Sequence, residues 1–171
     1  MPCVTNYVAM LRAVNVAGTG KLPMTELAAI GRDCGFTDVR TFIASGNLLF
    51  SSDRDEASVA SAIAERVEGF FGKPVPLFVR SGAEMAEVVA RNPFADDKPS
   101  RVIAHFIAEP PDEAMLAEAR GVAGERMAVG SRMIYVSYGD GIGKTRLKLP
   151  AVARGTARNM NSVARMADVL A

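Results

Sequence analysis

The chain has 171 residues, 49% hydrophobic and 23% charged, with a formal net charge of +1. That length fits one domain or two small, closely packed halves, and the composition excludes disorder over most of the chain. No window approaches the ~18 consecutive apolar residues of a membrane span.

The start, Met1-Pro2-Cys3-Val4-Thr5-Asn6, has neither the basic region nor the cleavage site of a signal peptide. Cys3 and Cys34 are the only cysteines. They form no CxxC pair and no disulfide framework, so a reducing cytoplasmic compartment is expected. The small net charge hides an asymmetry. Eight basic and eight acidic residues precede Ser81, and six basic face ten acidic from Ser81 to Asp140. From Gly141 onward, Lys144, Arg146, Lys148, Arg154, Arg158 and Arg165 are opposed by Asp168 alone. Attraction to an anionic partner should concentrate there.

The first strand is expected over about Asn6 to Arg12, where the unbroken run Tyr7-Val8-Ala9-Met10-Leu11 suits a strand buried on both faces. Pro23 sits at a plausible first helical position, Leu27, Ile30 and Cys34 mark the apolar stripe, and Gly35 stops the helix. Val39 to Ile43 and Leu48 to Phe50 read as strands joined by a tight turn at Ser45-Gly46. Asp53 with Glu56 makes a helix start, Val59, Ile63, Val67 and Phe70 recur at helical spacing, and Gly72 ends that helix. Val75, Leu77 and Val79 alternate as a strand that Pro76 confines to an edge. The order β-α-β-β-α-β is the split βαβ, ferredoxin-like arrangement.

Ser81-x-x-Glu84 has the capping-box pattern and opens a helix through Arg91, ended by Asn92-Pro93. The loop from Asn92 to Ser100 is the expected boundary between a first half, 1–92, and a second, 93–171. A strand over Val102 to Ile107, a helix with Met115 and Leu116 inward, and two strands about a Gly130-Ser131 turn follow. A glycine-rich loop runs from Gly139 to Lys144. The last helix places Val163, Met166 and Leu170 at helical spacing. The expected fold is α+β, two ferredoxin-like halves with antiparallel sheets packed by helices. The second half lacks a clear final strand and is incomplete, and no residue-level repeat is visible.

Four stretches carry a family resemblance: Leu11 to Met24, Ala44-Ser45-Gly46-Asn47-Leu48-Leu49-Phe50, Lys144-Thr145-Arg146-Leu147 and Ala157-Arg158-Asn159-Met160-Asn161-Ser162-Val163. In content, order and spacing the chain resembles, over essentially its full length, the bacterial family named domain of unknown function 1697. That resemblance implies no activity. Ala13 and Ala17 stand where glycines are usual, Met160 where a tryptophan is usual, and Thr145-Arg146 replaces a serine-lysine pair. The alanines disfavour very close backbone approach by a ligand in the first loop. The missing tryptophan removes a stacking platform.

Arg12, Asn15 and Lys21 put a guanidinium, an amide and an ammonium at one end of a central strand, a set suited to phosphate or carboxylate. The alternative is that Arg12 pairs with an acid and Asn15 shapes a turn. Ser45 and Asn47 suit a hairpin turn, and join the Arg12 loop as ligand contacts only if both lie at the same end of the sheet. Gly139 to Thr145 lacks the spacing of a phosphate-binding P-loop, because Tyr138 stands where the first glycine belongs. A looser anion loop with Lys144 and Arg146 stays open. Arg154, Arg158, Asn159 and Asn161 precede or open the last helix, either as anion ligands or as a solvated basic face with an Asn cap. His105, the only histidine, reads as structural, and Asp96-Asp97 as a solvated loop. No motif calls for a metal or cofactor, and no Ser-His-Asp set, nucleophile elbow or convincing carboxylate pair is present.

The best-supported reading is a module that binds a small anionic or nucleotide-like ligand, its basic groups converging across the two halves. An enzyme acting on a phosphorylated or carboxylated metabolite is a second reading, with no evident base or nucleophile. Single-stranded nucleic-acid binding is a third, disfavoured by 6% aromatic content and aliphatic central strands.

Overall fold

The computed structural model describes residues 3–12, 21–42, 46–139 and 142–171. Two compact units are present, one of Met1–Ala83 with Asp168–Ala171 and one of Glu84–Ala167. The division falls inside a helix, upstream of the 92–100 loop.

In the first unit, β1 (Thr5–Leu11), α1 (Met24–Asp33), β2 (Thr37–Thr41), β3 (Asn47–Ser52), α2 (Glu56–Phe71) and β4 (Leu77–Ser81) form a four-stranded sheet of order β2-β3-β1-β4. All of its pairs are antiparallel, the ferredoxin-like topology. β1 is central, and Tyr7 to Leu11 are buried irrespective of the face they point to. One face carries Tyr7, Ala9, Leu11, Leu48, Phe50 and Val79, packed with Leu27 and Ile30 of α1 and Val59, Ile63 and Val67 of α2. Pro23 caps α1 from just outside it, its carbonyl accepting from the Glu26 and Leu27 N–H groups. The cap of α2 is Asp55, two residues beyond Asp53, and its side chain accepts from the Ser58 N–H at 2.8 Å. β4 is an edge strand that begins just after Pro76.

The second unit repeats this topology with different means. After α3 (Gly82–Ala90), β5 (Val102–Phe106), α4 (Glu113–Ala117), β6 (Arg126–Gly130), β7 (Met133–Ser137), β8 (Thr156–Asn159) and α5 (Met160–Leu170) give a sheet of order β6-β7-β5-β8. The final strand that the sequence pattern lacked is therefore present as β8, antiparallel to β5. Among the described residues, no α-helix lies between its third and fourth strands. Two 3₁₀ turns, Ile142–Lys144 and Pro150–Val152, stand there instead, and Leu147, Leu149, Ala151 and Val152 cover Ile103, Ile107, Ile134 and Val136. α3 lies on the opposite sheet face, with the Tyr135 hydroxyl donating to the Val88 carbonyl at 2.7 Å. Glu84 pairs with Arg132 of the β6–β7 turn. That turn is Ser131-Arg132, one residue later than the glycine suggested.

The duplication extends to single residues. β4 and β8 each run straight into a helix, with Arg80 and Arg158 at the penultimate strand position. Both arginines are buried, and each donates from Nη1 to the carbonyl of the preceding residue, Val79 at 2.8 Å and Ala157 at 2.9 Å. The helices that follow bury Met85 and Val88 in one case, Val163 and Met166 in the other, at matching offsets. The Leu11 N–H donates to Gly46, and at the equivalent place the Ile107 N–H donates to Arg132.

Arg120 and Lys148 exchange backbone hydrogen bonds of 2.9 and 2.8 Å, and this bridge pins the 3₁₀-rich segment to the chain after α4. Gly121 beside it has φ +68°, and a Cβ there would be driven into the Arg146 carbonyl. Gly121→Ala is therefore expected to destabilise the protein by about 2 kcal/mol or more. Urea unfolding of the variant beside the parent measures this, and an unchanged midpoint would contradict the close approach.

Candidate functional site

The sequence-derived ligand residues fall into two groups, one per unit. Asn15 and Ser45 lie outside the described residues. In the first unit, Arg12 follows β1, and its N–H donates to the Pro76 carbonyl at 2.9 Å. The Leu11 N–H donates to Gly46 at 2.9 Å, so the β2–β3 turn and the end of β1 lie at the same end of the sheet. The condition for Asn47 to stand with Arg12 is thus met. Asn47 itself is fully buried, and its Nδ2 donates to the Phe42 carbonyl at 2.8 Å. Lys21 is exposed ahead of α1.

In the second unit, strand register decides which polar groups share an end. Val102 and Arg126 both pair with Ser137, and Ile103 pairs with Asn159. The start of β5, the start of β6, the end of β7 and the end of β8 therefore come together. Arg101, Arg126, Ser137, Gly139 and Asn159 gather there from four separate segments.

A cleft of about 170 Å³ opens at this end, lined by Asp97, Lys98, Arg101, Gly124, Arg126, Ser137 and Gly139. Two of its cations, Arg101 and Arg126, are held by specific contacts. Arg101 Nη1 donates to the Gly139 carbonyl at 2.7 Å. Arg126 Nη2 forms an ion pair with Asp97 Oδ2, and its guanidinium lies 4.7 Å from the centroid of the Phe94 ring. The Ser137 hydroxyl donates to the same Asp97 oxygen at 2.6 Å. Asp97 is therefore not the solvated loop residue its sequence neighbours suggested. The Ser137 hydroxyl first, and Arg126 after it, hold its carboxyl below the usual value. Three cations then surround one ionised carboxylate, leaving the cleft with a positive excess.

Lys144 lies in the 3₁₀ turn whose next residue, Thr145, donates from its hydroxyl to Glu125 Oε1 at 2.7 Å. Glu125 also accepts from the Ala123 N–H, and these two donors hold its carboxyl below the usual range. Lys144 and Arg146 are exposed. Arg158 is buried in β8, its Nη1 also donating to Thr156 Oγ1 at 2.8 Å, and burial lowers its pKa to about 10. Asn159 accepts from the Ser162 N–H at 2.9 Å and so caps α5, while Asn161 is exposed. Arg154 is exposed. Met160 is buried, so the position where the family usually has tryptophan belongs to the interior.

Sequence reasoning missed Lys98, Arg101 and Arg126. The signal available was Phe94 inside the polar loop before β5, an aromatic residue with no apolar neighbour in its own segment except Ala95.

A family model for proteins of unknown function, DUF1697, matches residues 4–135. The chain belongs to that family. The matched range contains the cleft residues Asp97, Lys98, Arg101, Gly124 and Arg126 but ends before the Lys144–Leu147 and Ala157–Val163 stretches. Among solved structures, the chain is similar to the conserved bacterial protein SP0830 from Streptococcus pneumoniae, with a TM-score of 0.78 and 23% identity over 99% of this chain and 100% of that one. This likeness shows the fold. No curated protein matches. Among the described residues, no helix is long and apolar enough to cross a membrane.

His105 sits on the opposite face of β5 from Ala104, nearly buried, with Nε2 3.0 Å from the Tyr138 hydroxyl. Tyr138 immediately precedes Gly139, and its N–H donates to the Arg101 carbonyl at 2.8 Å. Burial lowers the His105 pKa from 6.5 to about 4. The unfolded chain therefore binds a proton between these values that the folded chain refuses. Stability from this group is complete above pH 6.5 and is lost as pH falls toward 4, by about 3 kcal/mol in all. His105→Gln should show a correspondingly shallower loss between pH 6.5 and 4 in urea unfolding. Parallel profiles for variant and parent would contradict the buried neutral imidazole.

Proposed function

We propose that this protein binds a small phosphate- or carboxylate-bearing ligand in the cleft at the β5–β7 end of its second unit. The observation that carries the reading is the set of three cations, Lys98, Arg101 and Arg126, around one carboxylate in a recess of about 170 Å³. A phosphate group fits such a recess. Arg101 and Arg126 offer planar forks whose orientation is fixed by Gly139, Asp97 and Phe94, so little side-chain freedom is lost on binding. Lys98 adds a point charge that tolerates variation in ligand shape.

Lys144, with Arg146 close by in sequence, supports the reading as a second layer of positive charge that raises the local anion concentration. Asn161, exposed on the first turn of α5 at the same end of the sheet, adds a polar rim. Arg12 and Lys21 would serve a ligand of the first unit by the same chemistry. The cleft is preferred because Arg101 and Arg126 are held in place by observed contacts. The hydroxyl beside the Asp97 carboxylate, that of Ser137, is buried, so binding is the reading adopted.

Calorimetric titration with inorganic pyrophosphate at low salt tests the proposal. Charge-assisted hydrogen bonds are each worth roughly 1.5–3 kcal/mol, so Arg101→Ala is expected to weaken binding about tenfold or more. Lys98→Ala should weaken it less, and added salt should weaken the parent further. Equal affinity in the parent and in a Lys98→Ala, Arg101→Ala double variant would overturn the assignment.

A further inference from the structure

The guanidinium of Arg126 lies over the Phe94 ring, its Cζ 4.7 Å from the ring centroid. The ring is itself anchored, being buried, with its backbone N–H bonded to Asn92 Oδ1 at 2.9 Å. Asp97 grips one edge of the guanidinium, and Ser137 grips Asp97. The Arg126 side chain nevertheless remains 58% exposed. An anion receptor needs charge and donors but no aromatic backing. A flat cation held against a ring is instead a surface on which a second flat ring stacks, and nucleobases stack on arginine planes and aromatic rings alike.

We propose that the ligand is a nucleotide, its base stacked on the exposed guanidinium of Arg126 and its phosphate held by Lys98 and Arg101. This rests on the anion-binding reading of the same cleft and extends it to the ligand's class. The size of the recess agrees with this division of labour. About 170 Å³ takes a phosphate group, and the base lies across the rim, where Arg126 is exposed. The geometry calls for stacking and not for reading of one base edge, so adenine and guanine nucleotides are expected to bind alike.

The test compares adenosine monophosphate, ribose 5-phosphate and inorganic phosphate in calorimetric titrations of the parent, Arg126→Lys and Phe94→Leu. The parent is expected to bind the nucleotide about tenfold more tightly than ribose 5-phosphate. Arg126→Lys keeps the charge and removes the plane. It should abolish that advantage, lowering nucleotide affinity more than it lowers ribose 5-phosphate affinity. Phe94→Leu should reduce the advantage without removing the cation. Equal binding of nucleotide and sugar phosphate by the parent would overturn the nucleotide assignment and leave the anion reading standing. An advantage that survives Arg126→Lys, or affinities that fall equally for all three ligands, would overturn the stacking role. No binding of any of the three would overturn both readings.

Discussion

Each unit is organised by a central strand that has to satisfy its backbone on both edges and hide side chains on both faces. β1 does this between β3 and β4, and β5 between β7 and β8. An apolar run such as Tyr7 to Leu11 cannot remain in water, and its N–H and C=O groups cannot remain unpaired once buried. Antiparallel neighbours on either side solve both problems together. The remaining architecture follows from supplying those neighbours: a helical crossover to reach β2, a hairpin to return as β3, and a last edge strand. The polar residues are consequently displaced to the strand ends, where the chain enters and leaves the sheet.

The candidate cleft is a product of that displacement. Arg101 precedes β5, Arg126 opens β6, Ser137 closes β7 and Gly139 lies two residues beyond it. None is near another in sequence except the last two, and the register of the sheet alone brings them together. Asp97 then organises the cluster by taking one hydroxyl and one guanidinium, and Phe94 supplies the apolar support that a fixed guanidinium needs. His105 meets the Tyr138 hydroxyl at 3.0 Å, and the Tyr138 N–H donates to the Arg101 carbonyl.

Much of the first unit could be read from its residues because its signals are redundant. β1 is a continuous apolar run, α2 repeats Val59, Ile63 and Val67 at helical spacing between a carboxylate cap and Gly72, and Gly46 at φ +83° marks the hairpin. The second unit was less legible for definite physical reasons. β8 reads Thr-Ala-Arg-Asn and carries no apolar alternation, because it is held by backbone pairing to β5 and by the hydrogen bonds that let Arg158 be buried. α4 has only five residues, and the 3₁₀ turns have no period long enough to detect. The basic residues of the last 31 positions drew attention through charge alone, yet Arg158 turns into the interior. The cleft cations lie instead in the stretch with the net negative charge. Net charge along the chain reports long-range attraction, whereas a site is made by the few groups that register and packing bring within reach of one another.

The most direct test is an amide and guanidinium NMR titration of the isotopically labelled protein with inorganic phosphate at low salt. Shifts confined to Lys98, Arg101, Arg126, Ser137 and Gly139, saturating together, are the predicted result. Shifts confined to the chain between Leu11 and Leu22, or none at all, would contradict the placement of the anion site in the second unit.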